Sequence, residues 1–333
     1  MSAYYLGVDV GATKTHALIA DDHGRALGLG EGGPGNPEGV GYDGLARVLQ
    51  VAVQEALTGA GISRSEVAGA GFGIGGYDWP SQRELTLEAI GFLGLSAPLE
   101  IVNDAIIGLL AGAEEGWGVA VVAGTSCNCW GWDRDRRAGR MTGFSWLGEA
   151  AGGGELVLKA LQVVALAWTW RGPPTRLTQV FVELAGVQSV EDLLERLTLG
   201  RTYLGADAAP AVFQVAAGGD AVAHELILWA GRELGSMAIG VIRQLGFETL
   251  SFDVVLAGSF FNGSPLLAET MRQTIRAVAP GARLVRLHVP PVVGGVLLGM
   301  EQAGLVPSAL RAPLIQSAGK LLQTADGGQQ PAD

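Results

Sequence analysis

Two short glycine turns carry hydroxyl side chains at positions suited to binding phosphate. The first is the segment DVGATKT at 9–15, and the second is AGTS at 123–126. A glycine turn can direct backbone N–H groups and a hydroxyl toward one point, which suits phosphate oxygens. Each turn alone is also typical of a β-hairpin that needs a glycine with positive φ. Two such turns in one chain favour a pair that faces one cleft and clamps one polyphosphate.

Two carboxylates stand beside these turns at predicted strand ends. Asp9 opens the first turn and suits hydrated Mg²⁺, which takes one or two carboxylates and keeps several waters. Asp104 follows the predicted strand at 99–102 and begins a helix, so it can cap that helix. From the same place Asp104 can accept a proton from a substrate hydroxyl as a general base. The two roles of Asp104 are compatible.

A third glycine turn follows the apolar segment 252–257 and leads toward a helix. Ligands of open α/β sheets lie beyond the carboxyl ends of the strands. Gly258 in this turn would let a flat base approach the backbone, and Ser259 follows it. An ordinary strand-to-helix turn explains the same residues equally well.

The composition is that of a folded protein with large cores. The chain has 333 residues, of which 48 % are apolar and 17 % charged, so we expect about two domains. The net charge is −11, and no basic run interrupts it, which argues against a nucleic-acid partner. With only two cysteines, Cys127 and Cys129, the chain is not a disulfide scaffold.

No segment of the sequence predicts a membrane span or a signal peptide. The most apolar stretch, 156–170, contains Lys159 and Gln162 and is shorter than the roughly 20 residues that a span requires. The N-terminus has neither the basic nor the apolar region of a signal peptide. We therefore expect a cytoplasmic protein with no membrane partner.

The spacing of apolar residues predicts one series of elements twice, in the order β-β-β-α-β-α-β-α. The first series has strands at 4–10, 15–20, 25–30, 67–74 and 99–102 and helices at 45–57, 80–92 and 104–115. The second has strands at 118–123, 126–132, 137–142, 252–257 and 283–287 and helices at 147–170, 190–197, 220–245, 265–278 and 292–303. This alternation predicts an α/β fold with covered sheets and extra helices in the second unit.

The two series divide the chain into domains. We place one domain at 1–116 and the second, with its helical insertion, at 117–305. Residues 306–333 form a C-terminal tail, and the last ten residues are small and polar, so we expect them to be loose.

With these motifs in this order, the sequence resembles the N-acetylglucosamine kinase family over residues 4–305. That family lies within the BadF/BadG/BcrA/BcrD-type ATPase group of the sugar kinase and actin superfamily. The segments 9–15 and 123–128 are similar to its two phosphate motifs, and 257–260 is similar to its adenosine motif. Asn103 and Asp104 fall where these kinases keep the catalytic aspartate. The segment 33–37 resembles the one whose asparagine contacts the sugar, and 290–299 resembles the final helix near the domain hinge.

The resemblance implies two RNase H-like (actin-like ATPase) domains with ATP and Mg²⁺ between them. It implies that Asp104, as general base, helps transfer the γ-phosphate to O6 of an amino sugar such as N-acetylglucosamine or glucosamine. Asp9 would hold Mg²⁺ through water. The residues implied in nucleotide binding are Gly11, Thr13, Lys14, Gly124, Thr125, Ser126, Gly258 and Ser259. Those implied in sugar binding are Asn36, Gly76, Asn103, Asp104, Thr125 and Glu149.

One segment departs from the family pattern on the substrate side. The family's Gly-Asp-Glu-Gly-Ser corresponds here to GEAAGGG at 148–154, in which Glu149 can replace the aspartate that holds the sugar. The sequence therefore supports ATP binding more firmly than it identifies the sugar, and a kinase for a different hexose stays open. Trp79, in the loop 75–80, is a candidate for stacking on a sugar face.

Two other functions stay open. A BadF-type ATPase would activate a partner enzyme without phosphorylating a sugar, but an iron–sulfur activator needs exposed cysteines outside the phosphate motif. Cys127 and Cys129 are better explained as core residues. A non-catalytic sugar sensor would be expected to lack Asp9 or Asp104, and both are present. The resemblance also implies a homodimer, for which the apolar helices after Gly200 could supply the interface.

Overall fold

The two predicted series of strands form two sheets with the same topology in a computed structural model, which describes residues 3–326. The first sheet has the order β3-β2-β1-β4-β5, and the second has the order β10-β9-β6-β7-β8. The strands are β1 (Tyr4–Val10), β2 (Thr15–Asp21), β3 (Ala26–Gly32), β4 (Val67–Ile74), β5 (Leu99–Asn103), β6 (Gly118–Ala123), β7 (Cys127–Trp132), β8 (Ala138–Arg140), β9 (Phe252–Ala257) and β10 (Ala282–Arg286).

Pairing within the sheets follows the same rule twice. β1 is antiparallel to β2 and parallel to β4, just as β6 is antiparallel to β7 and parallel to β9. The carboxyl ends of β1 and β6 therefore carry equivalent turns. The predicted α/β fold with a duplicated unit is confirmed.

Eleven helices cover the sheets within the described residues. They are α1 (Pro37–Ala60), α2 (Arg83–Gly91), α3 (Asp104–Gly112), α4 (Gly153–Trp168), α5 (Leu177–Leu184), α6 (Val190–Thr198), α7 (Ala209–Ala217), α8 (Ala221–Leu245), α9 (Pro265–Arg276), α10 (Val292–Gln302) and α11 (Ser308–Asp326). The sequence pattern did not predict α5, α7 or α11. It also began α4 at 147, whereas Gly148 has φ +115° and the helix starts at Gly153.

Local sequence explains where the first helices begin and end. The Asn36 side chain accepts a hydrogen bond from Glu38 N and caps α1, and Gly61 ends that helix in the left-handed conformation. The Asn103 side chain caps α3 in the same way through Ala105 N, so the capping role that we expected of Asp104 belongs to its neighbour. Both helices therefore begin at the carboxyl-end edge of the first sheet.

Helix α10 belongs to the first sheet in space, although we had placed 292–303 in the second domain. It packs across β1 and β4, where the backbones meet with no side chain between them. A Cβ at Gly71 would collide with Gly295 O, and one at Gly7 would collide with Val296 N. Glycine on both surfaces permits this close approach. Local sequence patterns could not predict this packing of α10 on the first sheet, because the contact joins distant parts of the chain.

The predicted tail is also a packed helix over much of its length. In α11, Leu314 and Ala318 are buried, and Ser317 Oγ donates to Gly24 O and accepts from Ala26 N at 3.0 Å each. This helix covers the β2–β3 hairpin of the first sheet. The loose end expected for the last ten residues falls largely on 327–333, outside the described residues.

The apolar helices after residue 200 line a core. Val212, Ile227, Leu234 and Val241 in α7 and α8 are fully buried in the cluster under the second sheet. These inner faces are therefore not available for a dimer interface. Dimerisation, with the helices after residue 200 as one candidate interface, stays a prediction. In residues 3–326 no single helix is long and apolar enough to cross a membrane, although the bent pair Ala206–Ala217 and Ala221–Leu245 passes that test together.

Candidate active site

The first phosphate turn connects β1 to β2 at the edge where β4 and β5 also end. Gly11 N donates to Lys14 O at 3.0 Å, which closes the turn. Gly35 N donates to Gly11 O at 3.1 Å, which holds the segment before α1 against it. Thr13 and Lys14 are exposed at the tip, so their hydroxyl and ammonium groups are available to phosphate.

The second phosphate turn is held by the start of α4. Gly124 N donates to Ser126 O at 2.9 Å, which closes the turn. Gly153 N donates to Gly124 O at 2.8 Å, and Gly154 N donates to Thr125 O at 2.9 Å. The exposed Thr125 and Ser126 thus lie beside the N-terminus of a helix, whose partial positive charge favours phosphate.

A cavity of about 690 Å³ opens beside the second turn, a volume typical of a small-molecule site. Gly124, Thr125, Gly153 and Ser259 line the part of the cavity beside this turn. Its walls are mostly apolar, with a few polar groups; they include Ala206, Asp207, Ala209, Pro210, Phe213, Gln214, Phe260 and Asn262. We call it the nucleotide cavity. It brings together the second phosphate motif and the adenosine motif, but the contribution of α7 could not be predicted because that helix itself was missed.

Gly258 lies against the backbone at the end of β6, and its contact with a nucleotide base stays a prediction. Its φ is +99°, and a Cβ there would collide with Ala123 O. The glycine is needed where the end of β9 passes the end of β6, and no approaching base is required to explain it. Ser259, the next residue, does line the nucleotide cavity.

Two carboxyl groups with raised pKa values face each other across the end of the first sheet. Burial raises the pKa of Asp9 to about 7, with the charge of Asp104 adding to the rise and Lys14 opposing it. Burial likewise raises the pKa of Asp104 to about 6, with the charge of Asp78 adding to the rise. A Cβ at Gly75 would lie 3.3 Å from Asp104 Oδ2, so this carboxyl stands against the backbone after β4.

The donor set fits a hydrated magnesium ion. Within residues 3–326, no group of three or more His, Cys, Asp or Glu side chains is arranged to hold a metal ion. Mg²⁺ usually keeps several waters and takes few protein carboxylates, which suits Asp9. A cation there would also relieve the cost of keeping Asp9 and Asp104 charged together.

Asn36 and Gly76 lie together beside these carboxyls. The Oδ1 atom of Asn36 is used as the cap of α1, so the Nδ2 group is what it can offer a ligand. A Cβ at Gly76 would collide with Asn36 Oδ1, and the φ of Gly76 is +80°. Burial raises the pKa of the adjacent Glu38, and the charge of Asp78 adds to that rise.

Asn103 is a scaffold residue here. Its side chain is 1 % exposed and fully engaged. Nδ2 donates to Asp78 Oδ1 at 3.1 Å and to Tyr77 O at 3.3 Å, while Oδ1 accepts from Ala105 N at 3.0 Å. The expected direct contact with the sugar is therefore replaced by a role in holding the loop after β4.

Glu149 likewise braces a loop. Its side chain is 2 % exposed and accepts from three successive backbone amides, those of Thr142, Gly143 and Phe144. We call the braced segment, 141–149, the acceptor loop. Because both carboxylate oxygens are used in this way, Glu149 is not presented as the open sugar ligand that the sequence suggested.

Comparison with known proteins assigns the family. The model of the BadF/BadG/BcrA/BcrD ATPase family matches residues 6–299. The chain belongs to this family. Membership confirms the resemblance noted from the two phosphate motifs and supports ATP as the nucleotide.

Named relatives extend the comparison over almost the whole chain. An N-acetylmuramic acid/N-acetylglucosamine kinase from Clostridium acetobutylicum is 26 % identical over 302 residues, covering 90 % of this chain and 99 % of that protein. An N-acetyl-D-glucosamine kinase from Dictyostelium discoideum is 27 % identical over 312 residues, covering 89 % and 98 %. The solved structure of a proposed N-acetylglucosamine kinase from Chromobacterium violaceum has the same fold, with a TM-score of 0.66, 23 % identity, and coverage of 89 % and 98 %.

Three residues of the candidate site were not predicted from the sequence. Asp78, Asn128 and Arg140 meet beside the acceptor loop, although they come from a loop, β7 and β8. Asn128 could have been found, since it closes the second phosphate motif. Asp78 and Arg140 gave no local signal, because their meeting depends on how the two sheets are placed.

The two cysteines are core residues, as expected. Cys129 is fully buried, and Cys127 lies 3.8 Å from the sulfur of Met237. Burial raises the pKa of Cys127 to about 12, so this thiol stays protonated and is a poor nucleophile or metal ligand.

Proposed function

We propose that this protein is an ATP-dependent kinase that transfers the γ-phosphate to O6 of an amino sugar, with Asp104 as general base. The observation that carries the proposal is the Asp104 carboxyl, which stands at the start of α3 beside Asp9. The first phosphate turn follows Asp9, and the second phosphate turn lines the nucleotide cavity. A base in this place is needed for transfer to a hydroxyl group.

The chemistry asked of the residues is mainly positioning. In phosphoryl transfer the protein aligns the reacting groups and stabilises charge, and a general base contributes about 10²–10⁴ in rate. A base works best when its pKa lies near the working pH, and burial raises the pKa of Asp104 to about 6. Mg²⁺ held through water by Asp9 would neutralise charge on the phosphates. Lys14 and the amides of both turns would orient them.

The names of the relatives support an amino sugar. The Clostridium and Dictyostelium proteins are named as kinases of N-acetylglucosamine, and the first also of N-acetylmuramic acid. Asn36 offers an amide donor beside Asp104, which suits a sugar hydroxyl or N-acetyl oxygen. A primary hydroxyl such as O6 projects from the ring and can reach a carboxyl with little distortion of the sugar.

The test is sugar-dependent release of ADP. Purified protein with ATP and Mg²⁺ is offered N-acetylglucosamine, glucosamine, glucose, N-acetylmannosamine or N-acetylmuramic acid, and the product is examined by mass spectrometry and NMR. Asp104→Asn is run in parallel, with Asp133→Asn as a matched control because Asp133 lies in the β7–β8 turn. We expect an amino sugar 6-phosphate from the wild type and from Asp133→Asn, and almost none from Asp104→Asn.

Two results would overturn the proposal. ATP hydrolysis that ignores every sugar would support instead an ATPase that acts on a partner enzyme. Phosphorylation at another hydroxyl would keep the kinase and refute O6.

A further inference from the structure

We propose that Asp78 is a positioning residue that fastens the acceptor loop to the N-terminal domain, so that a sugar rather than water receives the phosphate. The effect on catalysis rests on the proposed function. The fastening itself can be measured without any substrate.

The Asp78 carboxylate joins the two domains through one oxygen. Its Oδ1 accepts from Asn103 Nδ2 of the first domain and from Asn128 Nδ2 of β7 in the second, each at 3.1 Å. Asp78 is only 6 % exposed. A buried carboxylate requires such donors, since an unpaired buried charge is strongly unfavourable.

The loop that carries Asp78 is shaped in advance by Gln82. The Oε1 atom of Gln82 accepts from Asp78 N at 2.8 Å and from Trp79 N at 2.7 Å. Its Nε2 donates to Gly76 O at 2.8 Å. All of these groups belong to the first domain, so the loop is organised there and presents Asp78 to the second domain.

A second contact crosses between the domains beside the first. The Arg140 guanidinium of β8 stacks on the Trp79 ring at 4.3 Å and lies 5.5 Å from the Trp130 ring. Trp79 is therefore covered by Arg140 on one face, where the sequence suggested a sugar. Because Trp79 stays 48 % exposed, this contact is only partly shielded from water and contributes modestly.

Buried donors surround the Asp78 carboxylate. Trp130 Nε1 and Arg140 Nη1 are buried nearby, and both side chains act on the Asp78 carboxylate. Burial raises the pKa of Asp78, and the nearby donors oppose this rise. The carboxylate therefore lies among donors from both sheets.

The acceptor loop touches the same carboxylate. A Cβ at Gly143 would lie 2.7 Å from Asp78 Oδ2, so the backbone of the loop packs directly on Asp78. Glu149 holds the amide of Gly143 from the other side. Asp78 also lies close enough to add to the raised pKa of Asp104. A loop held in this way would keep a sugar near the general base and exclude water.

The experiment compares three variants. Asp78→Ala removes the shared acceptor, Asp78→Asn keeps one oxygen acceptor, and Asn128→Ala removes the partner in the second domain. Asp192→Asn is the matched control, because Asp192 pairs with Arg196 on the exposed face of α6. The first readout is kinetic: the KM values for sugar and ATP, and the ADP released per sugar phosphorylated. The second is hydrogen exchange of the acceptor-loop amides in the free protein.

We expect Asp78→Ala to raise the sugar KM by about 10-fold or more, with the ATP KM changed less than about twofold. ADP release should exceed sugar phosphorylation, and the loop amides should exchange faster. Asn128→Ala should show the same pattern, Asp78→Asn should recover most of the wild-type behaviour, and Asp192→Asn should match the wild type. Recovery by Asn distinguishes a positioning role from proton transfer, for which an amide is useless.

The two proposals fail in different ways. If the wild type phosphorylates no sugar, the proposed function is wrong. Hydrogen exchange of the acceptor-loop amides in the variants then still tests whether Asp78 fastens the loop. If the wild type phosphorylates a sugar while Asp78→Ala and Asn128→Ala keep its KM, coupling and exchange, the fastening is refuted. If Asp78→Ala does not fold, the same readouts on Asn128→Ala decide in either direction.

Discussion

The nucleotide side of the cleft is held together by backbone atoms, whereas the acceptor side is held by side-chain carboxylates. Gly124, Gly153 and Gly154 close the second phosphate turn through their own N–H and C=O groups. On the acceptor side, the carboxylates of Asp78 and Glu149 hold segments that are 50 and 5–7 residues away. The nucleotide side therefore requires glycines, and the acceptor side requires carboxylates.

The difference matters for how each side responds to change. A turn closed by backbone hydrogen bonds is disrupted by a glycine substitution only where the added Cβ would collide with other atoms. Where there is room for a Cβ, the turn tolerates the substitution. A loop held by a buried carboxylate becomes more mobile when that carboxylate is removed, because its hydrogen-bond donors are left unpaired. Variants on the two sides should therefore separate ATP binding, acceptor binding and folding.

The largest effect is expected at the acceptor side, in Asp104→Asn. Turnover should fall by about 10²–10⁴, because the amide cannot accept the proton of the sugar hydroxyl. The affinity for ATP should change less than about threefold, since the phosphate turns and the nucleotide cavity are untouched. Steady-state kinetics and calorimetric titration with a non-hydrolysable ATP analogue measure the two quantities. A parallel loss of ATP affinity would contradict the separation of the sides.

The next effect is a loss of stability at the nucleotide side, in Gly258→Ala. The positive φ and the collision with Ala123 O should lower the free energy of unfolding by roughly 3 kcal/mol. Gly124→Ala is the control in the neighbouring turn, because a Cβ there meets no atom within 4 Å. It should change the free energy of unfolding by less than about 1 kcal/mol. Urea denaturation measures both variants, and equal losses would show that space does not govern this side.

A smaller loss is expected from Glu149→Gln at the acceptor loop. The carboxylate serves three backbone amides, and hydrogen bonds to a charged group contribute about 1.5–3 kcal/mol. Since the amide keeps one acceptor oxygen, we expect a loss of roughly 2 kcal/mol together with a higher sugar KM. Glu155→Gln is the matched comparison, because Glu155 accepts from the single amide of Gly152 beside the nucleotide cavity. It should lose less stability and leave the sugar KM unchanged; the reverse order would refute the distinction.

The same contrast explains what could be predicted from the sequence. The strands and the two phosphate turns depend on neighbouring residues, so local patterns were enough to find them. The cap of α1 was missed, and the cap of α3 was assigned to Asp104 instead of Asn103. Asn103 and Glu149 were found as residues but given the wrong contacts, because their partners are set by the folded loops. The place of α10 on the first sheet and the meeting of Asp78 with Asn128 depend on how the two domains dock. No local pattern carries that information.

The smallest expected effect is a pH dependence of stability that arises from the raised pKa of Asp104. The folded protein raises the pKa of Asp104 from 3.8 to about 6, so between these values the folded state binds more protons than the unfolded state. Stability contributed by this group is then fully present below about pH 4 and is lost as the pH rises to about 6. One pKa unit corresponds to about 1.4 kcal/mol, and partial exposure of the carboxyl reduces the whole effect to about 1–2 kcal/mol.

Asp104→Asn, which cannot titrate, should therefore be more stable than the wild type by about 1–2 kcal/mol at pH 7, and the gain should vanish near pH 4. Urea denaturation without Mg²⁺ or nucleotide measures it. Asp133→Asn provides a control of opposite sign. Burial alone would raise the pKa of Asp133, but hydrogen bonds from Arg137 and the Asp135 amide hold that pKa below its usual value. This variant should lose stability at pH 7, and its deficit should shrink as the pH falls. If the gain in stability of Asp104→Asn does not depend on pH, burial does not destabilise the charged form of Asp104. The arrangement of the acceptor side would then depend on packing and not on charge.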